Sequence, residues 1–575
     1  MLVANNLQTR RTVIQSIKDC WYLAKPYWTS EDKWRAIGLV SVVIALNLLS
    51  VYMSVLFNKW YNEFYDSIQQ FHKAEFYKLL IRFTYYAFIA ITISVVSYWV
   101  RKILEIRWRT WITKYYIDSW LNKHAYYKTR FIKDSVDNPD QRISEDLNSF
   151  LVTVLDLTLG FISNIVTLFS FVFILYSLSG PLVFSLLGHK ITIGGYMVWV
   201  ALIYSFIATV ITFIIGRPLI KLNFLREAVE ANFRFGLMRI REYSENIAFY
   251  KGEKQESANL HSKFNNVIAN FLAIVYRQMK LDIFNVGYSQ LAVIFPMLVS
   301  APRYFAKQIQ LGDLMQISSA FGKVQGAMSF FIDGYGSLAS LRAIMDRMLG
   351  FQNSVEAATS LASTEITSST HENMYVRITN LQLMRPDGEL MSKVINLSAK
   401  SGDVVLVKGR SGTGKTTLLR SIAGIWPYSS GKIEKSADLT ELFIGQRPYL
   451  PDATLRESLC YPMNAQDVDL TKIHNVLNDV NLSYLANELD VKTDWSKMLS
   501  FGEQQRLAFA RVLINEPNIV YLDEATSSVD EEMEEQLYRL LTTRLSNSLI
   551  VSIGHRSTLN KWHNIIYDFN DEKIA

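Results

Sequence analysis

The sequence predicts a membrane-embedded bundle of six helices over residues 1–348, followed by a soluble α/β domain over 374–575. Three observations carry this reading. Long runs without a charged residue, several near the roughly 20 residues needed to cross a bilayer, crowd the first 340 or so positions; a buried core helix imitates one such run but not five. The composition changes after Leu349. Beyond it come short apolar runs, each followed by small and polar residues, as buried parallel strands are. Bulk numbers average the two parts: of 575 residues, 50% are hydrophobic and 19% charged. That composition excludes a disordered chain, and two cysteines exclude a disulfide-stapled scaffold.

The uncharged runs are 36–57, 83–100, 157–178, 191–216 and 283–302; a sixth, 314–332, contains Lys323. The connections 101–147 and 217–280 are rich in Lys and Arg, among them Arg101, Lys102, Arg107 and Arg109, while 58–76, 179–193 and 303–312 carry few. The basic loops are therefore expected in the cytoplasm, with both termini on that side. The net charge of +6 records this orientation, and the basic residues are not gathered on one soluble domain as a nucleic-acid partner requires. The partner is a lipid bilayer. The N-terminal stretch with Arg10, Arg11, Lys18 and Lys25 lacks the apolar core of a secretory signal, so the first span is expected to serve for insertion. Both long basic loops read as helical, which extends the membrane helices into the cytoplasm. Residues 349–373, rich in Ser, Thr and Ala without apolar periodicity, read as a linker.

Chemistry concentrates in the last part. Residues 404–407 (VVLV) suit a buried strand. Directly behind it, Gly409-Arg-Ser-Gly-Thr-Gly414-Lys415-Thr416 fits the phosphate loop G-x-x-x-x-G-K-[ST], and a helix-like run from Thr417 follows. Gly409, Ser411, Gly412 and Gly414 let successive backbone N–H groups turn inward around phosphate oxygens. Lys415 is expected to reach the β- and γ-phosphates and Thr416 to hold Mg²⁺, with Thr417 completing the cradle. A chance lysine in a Gly-rich turn is the alternative, and the flanking strand and helix argue against it. A second apolar run, 519–522 (IVYL), ends in Asp523-Glu524. Asp523 is expected to position Mg²⁺ and Glu524 to act as general base on the attacking water.

Between them stands Leu499-Ser500-Phe501-Gly502-Glu503-Gln504-Gln505-Arg506. This segment resembles the LSGGQ signature of ATP-binding cassette (ABC) ATPases, with Phe501 and Glu503 in place of the middle Gly and the Gln. Gln446, opening QRPYLP, resembles the Q-loop glutamine; Ser527-Ser-Val-Asp530 resembles the D-loop; His555, behind the apolar run 549–553, resembles the switch histidine. The resemblance implies ATP and Mg²⁺ as cofactors, Ser500, Gly502 and Asp530 at the nucleotide, Gln446 at the metal and the attacking water, and His555 beside the γ-phosphate. It also implies an exporter-type ABC membrane fold. The phosphate loop of one cassette faces the signature of another, so a chain with one of each resembles a half-transporter that works as a homodimer. Residues 383–388 (LMRPDG) lack the aromatic that often stacks on adenine; Arg385 stacks there or is a surface residue.

Further motifs narrow the resemblance. Asp137-Asn-Pro-Asp-Gln-Arg142-Ile, Glu230-Ala-Asn-Phe-Arg-Phe235, Glu245-Asn-Ile-Ala-Phe-Tyr250, Pro302-Arg-Tyr-Phe305, Leu311-Gly-Asp-Leu-Met-Gln316 and Tyr449-Leu-Pro look like the SbmA/BacA-related bacterial transporters, which are similar to peroxisomal fatty-acyl transporters. This implies import across the bacterial inner membrane of hydrophilic solutes such as cobalamin or peptides. Export of lipids, drugs or peptides, acyl-CoA transport and a nucleotide-sensing receptor are the alternatives. Lys323, Asn164, Gln290, Gln325 and Asp333 are the polar residues at membrane depth; they line a water-filled path or bond between helices. Asp156 and Asp282 fall near span ends.

Overall fold

The computed structural model describes residues 13–132, 138–186, 189–361, 365–369, 375–410, 412–436 and 439–569. The chain divides into two compact units, Met1–Asp118 with Val136–Gln352, and Ser119–Ser135 with Asn353–Ala575.

In the first unit, α1 (Val13–Trp28), α2 (Lys33–Gln69) and α3 (Lys73–Leu121) are followed by α4 (Leu147–Ser179). A hairpin of β1 (Pro181–Leu186) and β2 (His189–Gly194) leads into α5 (Tyr196–Glu242), α6 (Ser244–Tyr250), α7 (Glu253–Phe305) and α8 (Leu311–Ser360). Five helical stretches among the described residues are long and apolar enough to cross a membrane. Helix α8 is the sixth long helix and falls outside that criterion, because Lys323 and its small neighbours dilute its apolar run. Its buried face, Ile317, Ala320, Phe321 and Val324, packs on Phe171 and Leu175 of α4 and on Met197 and Ala201 of α5.

Three expectations are corrected. The run expected to cross from residue 191 starts as strand β2, and the helix begins at Tyr196. The first long loop is helical only to Leu121; Lys123 and His124, at φ 47° and 59°, break it into single turns. The linker expected over 349–373 is largely ordered where described. Helix α8 runs to Ser360, with Phe351, Val355 and Ala358 buried along one side, and β3 (Glu365–Ser369) forms a strand. Low hydrophobicity concealed both, since a helix needs only one buried face. Residues 362–364 and 370–373 of that segment lie outside the described residues.

Where the first loop re-enters this unit, residues 142–146 make a π-helical turn. Asp146 sits buried there, taking hydrogen bonds from Arg347 Nε (2.9 Å) and a second guanidinium nitrogen (2.6 Å) on α8, and from Arg142 (2.6 Å). Burial by itself raises the Asp146 carboxyl, but the two arginines more than offset it and hold the group below the usual carboxylate range.

The second unit carries two sheets. The first, β3, β4 (Tyr375–Leu383), β5 (Ile395–Lys400) and β7 (Ser429–Ser436), has the order β3-β7-β4-β5 and is antiparallel except between β3 and β7. Ile366 of β3 packs on the core of this sheet, which orders the strand despite its polar sequence. The second is parallel, with β6 (Val404–Lys408), β8 (Glu441–Ile444), β9 (Ile519–Asp523), β10 (Leu549–Ile553) and β11 (Ile565–Asp568) in the order β11-β6-β10-β9-β8. Strands β6, β9 and β10 are buried on both faces, as their unbroken apolar runs require.

Candidate functional site

Register places the site. Ile553 of β10 stands opposite Val407 of β6 and Asp523 of β9. Residues 409, 524 and 555 therefore emerge together at the carboxyl end of three neighbouring strands, the crevice where open α/β sheets bind ligands. Strand β8 adjoins β9, so Gln446 emerges at the same edge.

The phosphate loop runs from β6 into α9 (Lys415–Ile422). Gly412 and Gly414 adopt φ 83° and 101°, backbone that a side chain strains, so glycine is required for the loop to curl. Lys415 is buried and donates to the carbonyls of Gly409 (2.7 Å) and Arg410 (2.8 Å), which draws the ammonium across the loop. Burial pushes its pKa down, and the carboxylates of Glu524 and Asp523 oppose that shift. An anionic phosphate in the loop would act in the same sense as those carboxylates. Thr417 is buried behind it, and Ser411 lies outside the described residues.

Thr416 Oγ1 donates to Asp523 Oδ1 at 3.1 Å. Burial raises the Asp523 carboxyl, with the Thr416 hydrogen bond working against it. A hydroxyl and one carboxylate are hard oxygen donors that suit Mg²⁺, which keeps several waters and shares its shell with phosphates. No cluster of three or more His, Cys, Asp or Glu able to cage a metal occurs among the described residues. Glu524 has φ 52°, and its amide donates to the carbonyl of Ile553. That turn brings its carboxylate 3.2 Å from His555 Nε2. The Gln446 side chain is exposed.

The signature segment opens α10 (Phe501–Asn515). Ser500 is the N-cap: Glu503 N–H donates to its hydroxyl (3.4 Å), and the Glu503 carboxylate accepts from the Ser500 amide (2.8 Å) and hydroxyl (2.7 Å). Tyr484 O–H also donates to Glu503 (2.6 Å), and this bond with those from Ser500 holds the carboxyl below its usual range. The departure Gln-to-Glu at 503 thus completes a capping box. Gly502 has a steric cause, because a Cβ there would stand 2.9 Å from the carbonyl of Ser528. Asp530 is the N-cap of α11 (Glu531–Arg544), one of its carboxylate oxygens accepting from Met533 N–H at 2.7 Å. Arg385 is ion-paired with Glu389 at 3.0 Å across a turn.

Sequence reasoning missed the residues that tie these loops together. Gln505, fully buried, donates to the Gln446 carbonyl (3.0 Å) and Ser527 Oγ (3.1 Å) and accepts from Ser528 N–H (2.9 Å). Glu534, 2% exposed, accepts from Thr526 (2.7 Å), Thr558 (2.6 Å) and Arg556 (3.4 Å), and Arg556 donates to the Val529 carbonyl (3.0 Å). Each lies within a few positions of a motif, yet spacing alone does not reveal a contact between loops.

The segment 119–135 belongs to this unit. The ring of Phe131 meets Trp426 and Tyr428 edge-on, at 5.0 and 5.9 Å, and Tyr428 O–H donates to the Phe131 carbonyl at 3.3 Å. Trp426 lies four residues past the end of α9. A cavity of about 470 Å³ opens between His124 and Tyr126 on one side and Thr416, Arg420, Phe443 and Asp523 on the other. This part of the first long loop therefore shares a cavity with Thr416 and Asp523.

Known proteins match this arrangement. The model of the ABC transporter transmembrane region 2 family matches residues 23–305, and that of the ABC transporter family matches 392–527. An uncharacterized ABC transporter ATP-binding protein of Haemophilus influenzae is 39% identical, over 95% of this chain and 91% of its own length. The ABC transporter D family member 2, chloroplastic, of Arabidopsis thaliana is 32% identical over 96% of this chain and 85% of its own. The human lysosomal cobalamin transporter ABCD4 is 26% identical over 81% and 80%. A bacterial Atm1-family ABC exporter solved with ATP bound shares the fold, with a TM-score of 0.71 at 14% identity over 94% of each chain.

Proposed function

The chain belongs to the ABC transporter family as an ATP-hydrolysing half-transporter of the D-family type, with membrane and ATPase regions fused, and from that premise we propose that it imports hydrophilic solutes, cobalamin or peptides foremost, across a bacterial inner membrane. The observation that carries the reading is the gathering of phosphate loop, Glu524 and His555 at one sheet edge, with the first cytoplasmic loop docked beside them. Similarity along nearly the whole chain to D-family proteins, one group of them named cobalamin transporters, supports the choice of solute. The motifs that resemble SbmA/BacA-related proteins support import.

In this reading ATP lies with its phosphates in the loop 409–414 and against Lys415. Thr416, Asp523 and the Gln446 side chain would hold Mg²⁺, which would supply positive charge against the phosphates. Glu524 takes a proton from the attacking water, and His555, held 3.2 Å from it, orients that carboxylate and reaches the γ-phosphate. Ser500 and Gly502 serve the phosphate loop of a second copy, so two chains complete two sites, with both termini cytoplasmic. Closure of the two ATPase units on ATP and release after hydrolysis form a two-state element. Phe131, packed on Trp426, carries its motion to α3.

The test uses proteoliposomes with ATPase units facing outward and cyanocobalamin or a peptide preloaded. Import corresponds to ATP-dependent loss of solute from the lumen, abolished by Glu524→Gln. ATP-dependent accumulation in the lumen would establish export instead.

A further inference from the structure

Helix α8 has two unlike faces at membrane depth. Ile317, Ala320, Phe321, Val324 and Ala327 are buried against the bundle. On the other side Gly322, Lys323 and Gly326 are exposed, and a Cβ on either glycine would meet nothing within 4 Å. Exposed positions on the neighbouring helices are of another kind: Phe88, Ile91 and Val95 on α3, Phe206 and Ile214 on α5, Ile294 and Leu298 on α7. Those residues suit lipid tails. A Gly-Lys-Gly face does not, because a lysine in hydrocarbon costs several kcal/mol.

The depth of Lys323 follows from a contact. Asn58 and Gln316 are both buried and hydrogen-bond reciprocally, at 3.1 and 3.0 Å. Asn58 immediately follows the uncharged run 36–57 of α2, so Gln316 marks one end of the apolar layer on α8. Lys323 lies seven residues further on, about 10 Å into a layer roughly 30 Å thick. It makes no hydrogen bond or ion pair with any described residue. Its ammonium therefore has no carboxylate among the described residues to satisfy it, and a polar path supplies the water that hydrocarbon lacks.

We propose that the Gly322–Lys323–Gly326 face lines the aqueous path and that Lys323 binds an anionic group of the solute, a phosphate or a carboxylate. This rests on the transporter reading above and narrows it: among hydrophilic solutes, those bearing such a group are taken, and strongly cationic ones are repelled. An unpaired ammonium between low-dielectric walls concentrates anions, since field lines cannot spread through the surrounding hydrocarbon. The flanking glycines leave room for a bulky group to come against the ammonium. In a homodimer two such lysines face one path, which strengthens the preference for a polyanion. Asn164 bonds the Gly160 carbonyl of its own helix (2.8 Å) and Gln325 bonds Ser329 (3.4 Å), so neither competes for this role; the side chain of Asp333 lies outside the described residues.

The test has two arms on the full chain in nanodiscs. In the first, Gly326→Cys is introduced with Cys20→Ser, leaving the buried Cys460. Its labelling by negatively charged (sulfonatoethyl) and positively charged (trimethylammonium-ethyl) methanethiosulfonates is timed. The expected result is reaction with both from water, with the ratio of anionic to cationic rate falling about tenfold when Lys323→Gln is added. In the second arm, stimulation of ATP hydrolysis is titrated with oleoyl-coenzyme A, a glutamate-rich peptide, cyanocobalamin and an arginine-rich peptide. An anionic probe is expected to act at the lowest concentration. Lys323→Gln is expected to raise its half-maximal concentration about tenfold and Lys323→Arg to leave it within about twofold. A cysteine unreactive to both reagents overturns the proposal, and so does an unchanged rate ratio. Strongest stimulation by the arginine-rich peptide, or none by either anionic probe, overturns it equally. Hydrolysis of ATP by the unsubstituted chain without solute tests the transporter reading separately, and its loss would sink that reading whatever the labelling shows.

Discussion

The two units of this protein solve opposite problems. In the ATPase unit the polar side chains at the sheet edge are largely paired within the chain: Lys415 with loop carbonyls, Thr416 with Asp523, Glu524 with His555, Gln505 with three partners. In the membrane unit the long helices leave Phe, Ile and Leu exposed along their length, and α8 exposes Lys323 inside its uncharged stretch. The first unit is organised around a chemical step that must be pre-arranged in a single crevice. The second presents surfaces whose partners, lipid, solute and a second copy, are outside the chain. The first long loop is anchored within each unit by its own contacts: Phe131 on Trp426 in the ATPase unit, and Asp146 with Arg142 and Arg347 in the membrane unit.

Substitutions can break this contrast, beginning with the largest effect. Glu524→Gln is expected to lower ATP turnover by at least about 100-fold while ATP still binds, measured by hydrolysis and nucleotide titration, because a general base contributes about that much. Asp146→Ala leaves two arginines without their buried carboxylate and is expected to cost about 3 kcal/mol, read as a lower unfolding temperature in detergent. Gln505→Ala removes three hydrogen bonds that link Q-loop, D-loop and signature helix. An approximately tenfold lower kcat with little change in KM for ATP is expected, since each bond contributes about 1 kcal/mol and the loops lose register. Phe131→Ala is expected to leave basal hydrolysis within about twofold and to abolish its stimulation by solute; unaltered stimulation would remove this contact from coupling. Glu503→Ala loses one half of a capping box, about 1 kcal/mol, and Glu503→Gln is expected to restore most of it.

Legibility in the sequence followed the same division. Strands β6, β9 and β10 were readable because buried parallel strands are unbroken apolar runs, and the residues behind them must be the edge residues. Phosphate loop, Asp523, Glu524 and His555 followed directly. Gln505, Glu534 and Arg556 were not readable, because their roles depend on loops that meet only after folding. The N-cap role of Asp530 is local by contrast, since an aspartate just before a helix caps it whatever motif it also resembles. In the membrane unit, apolar length disclosed the spans. It hid the end of β2, residues 191–194, which the expected span from 191 absorbed, and the ordered stretch after residue 349, where a buried stripe of Phe351, Val355 and Ala358 suffices. Lys323 stood out as a charge, but only its unpaired, open face separates a solute-lining residue from a helix–helix contact.

On the proposal that one chain carries halves of two different nucleotide sites, hydrolysis needs two copies. That requirement is tested most directly by ATP turnover in nanodiscs sorted into those with one copy of the chain and those with two. Turnover confined to two-copy discs, and lost there with Glu524→Gln, is the predicted result. Equal turnover per chain in one-copy discs would contradict it.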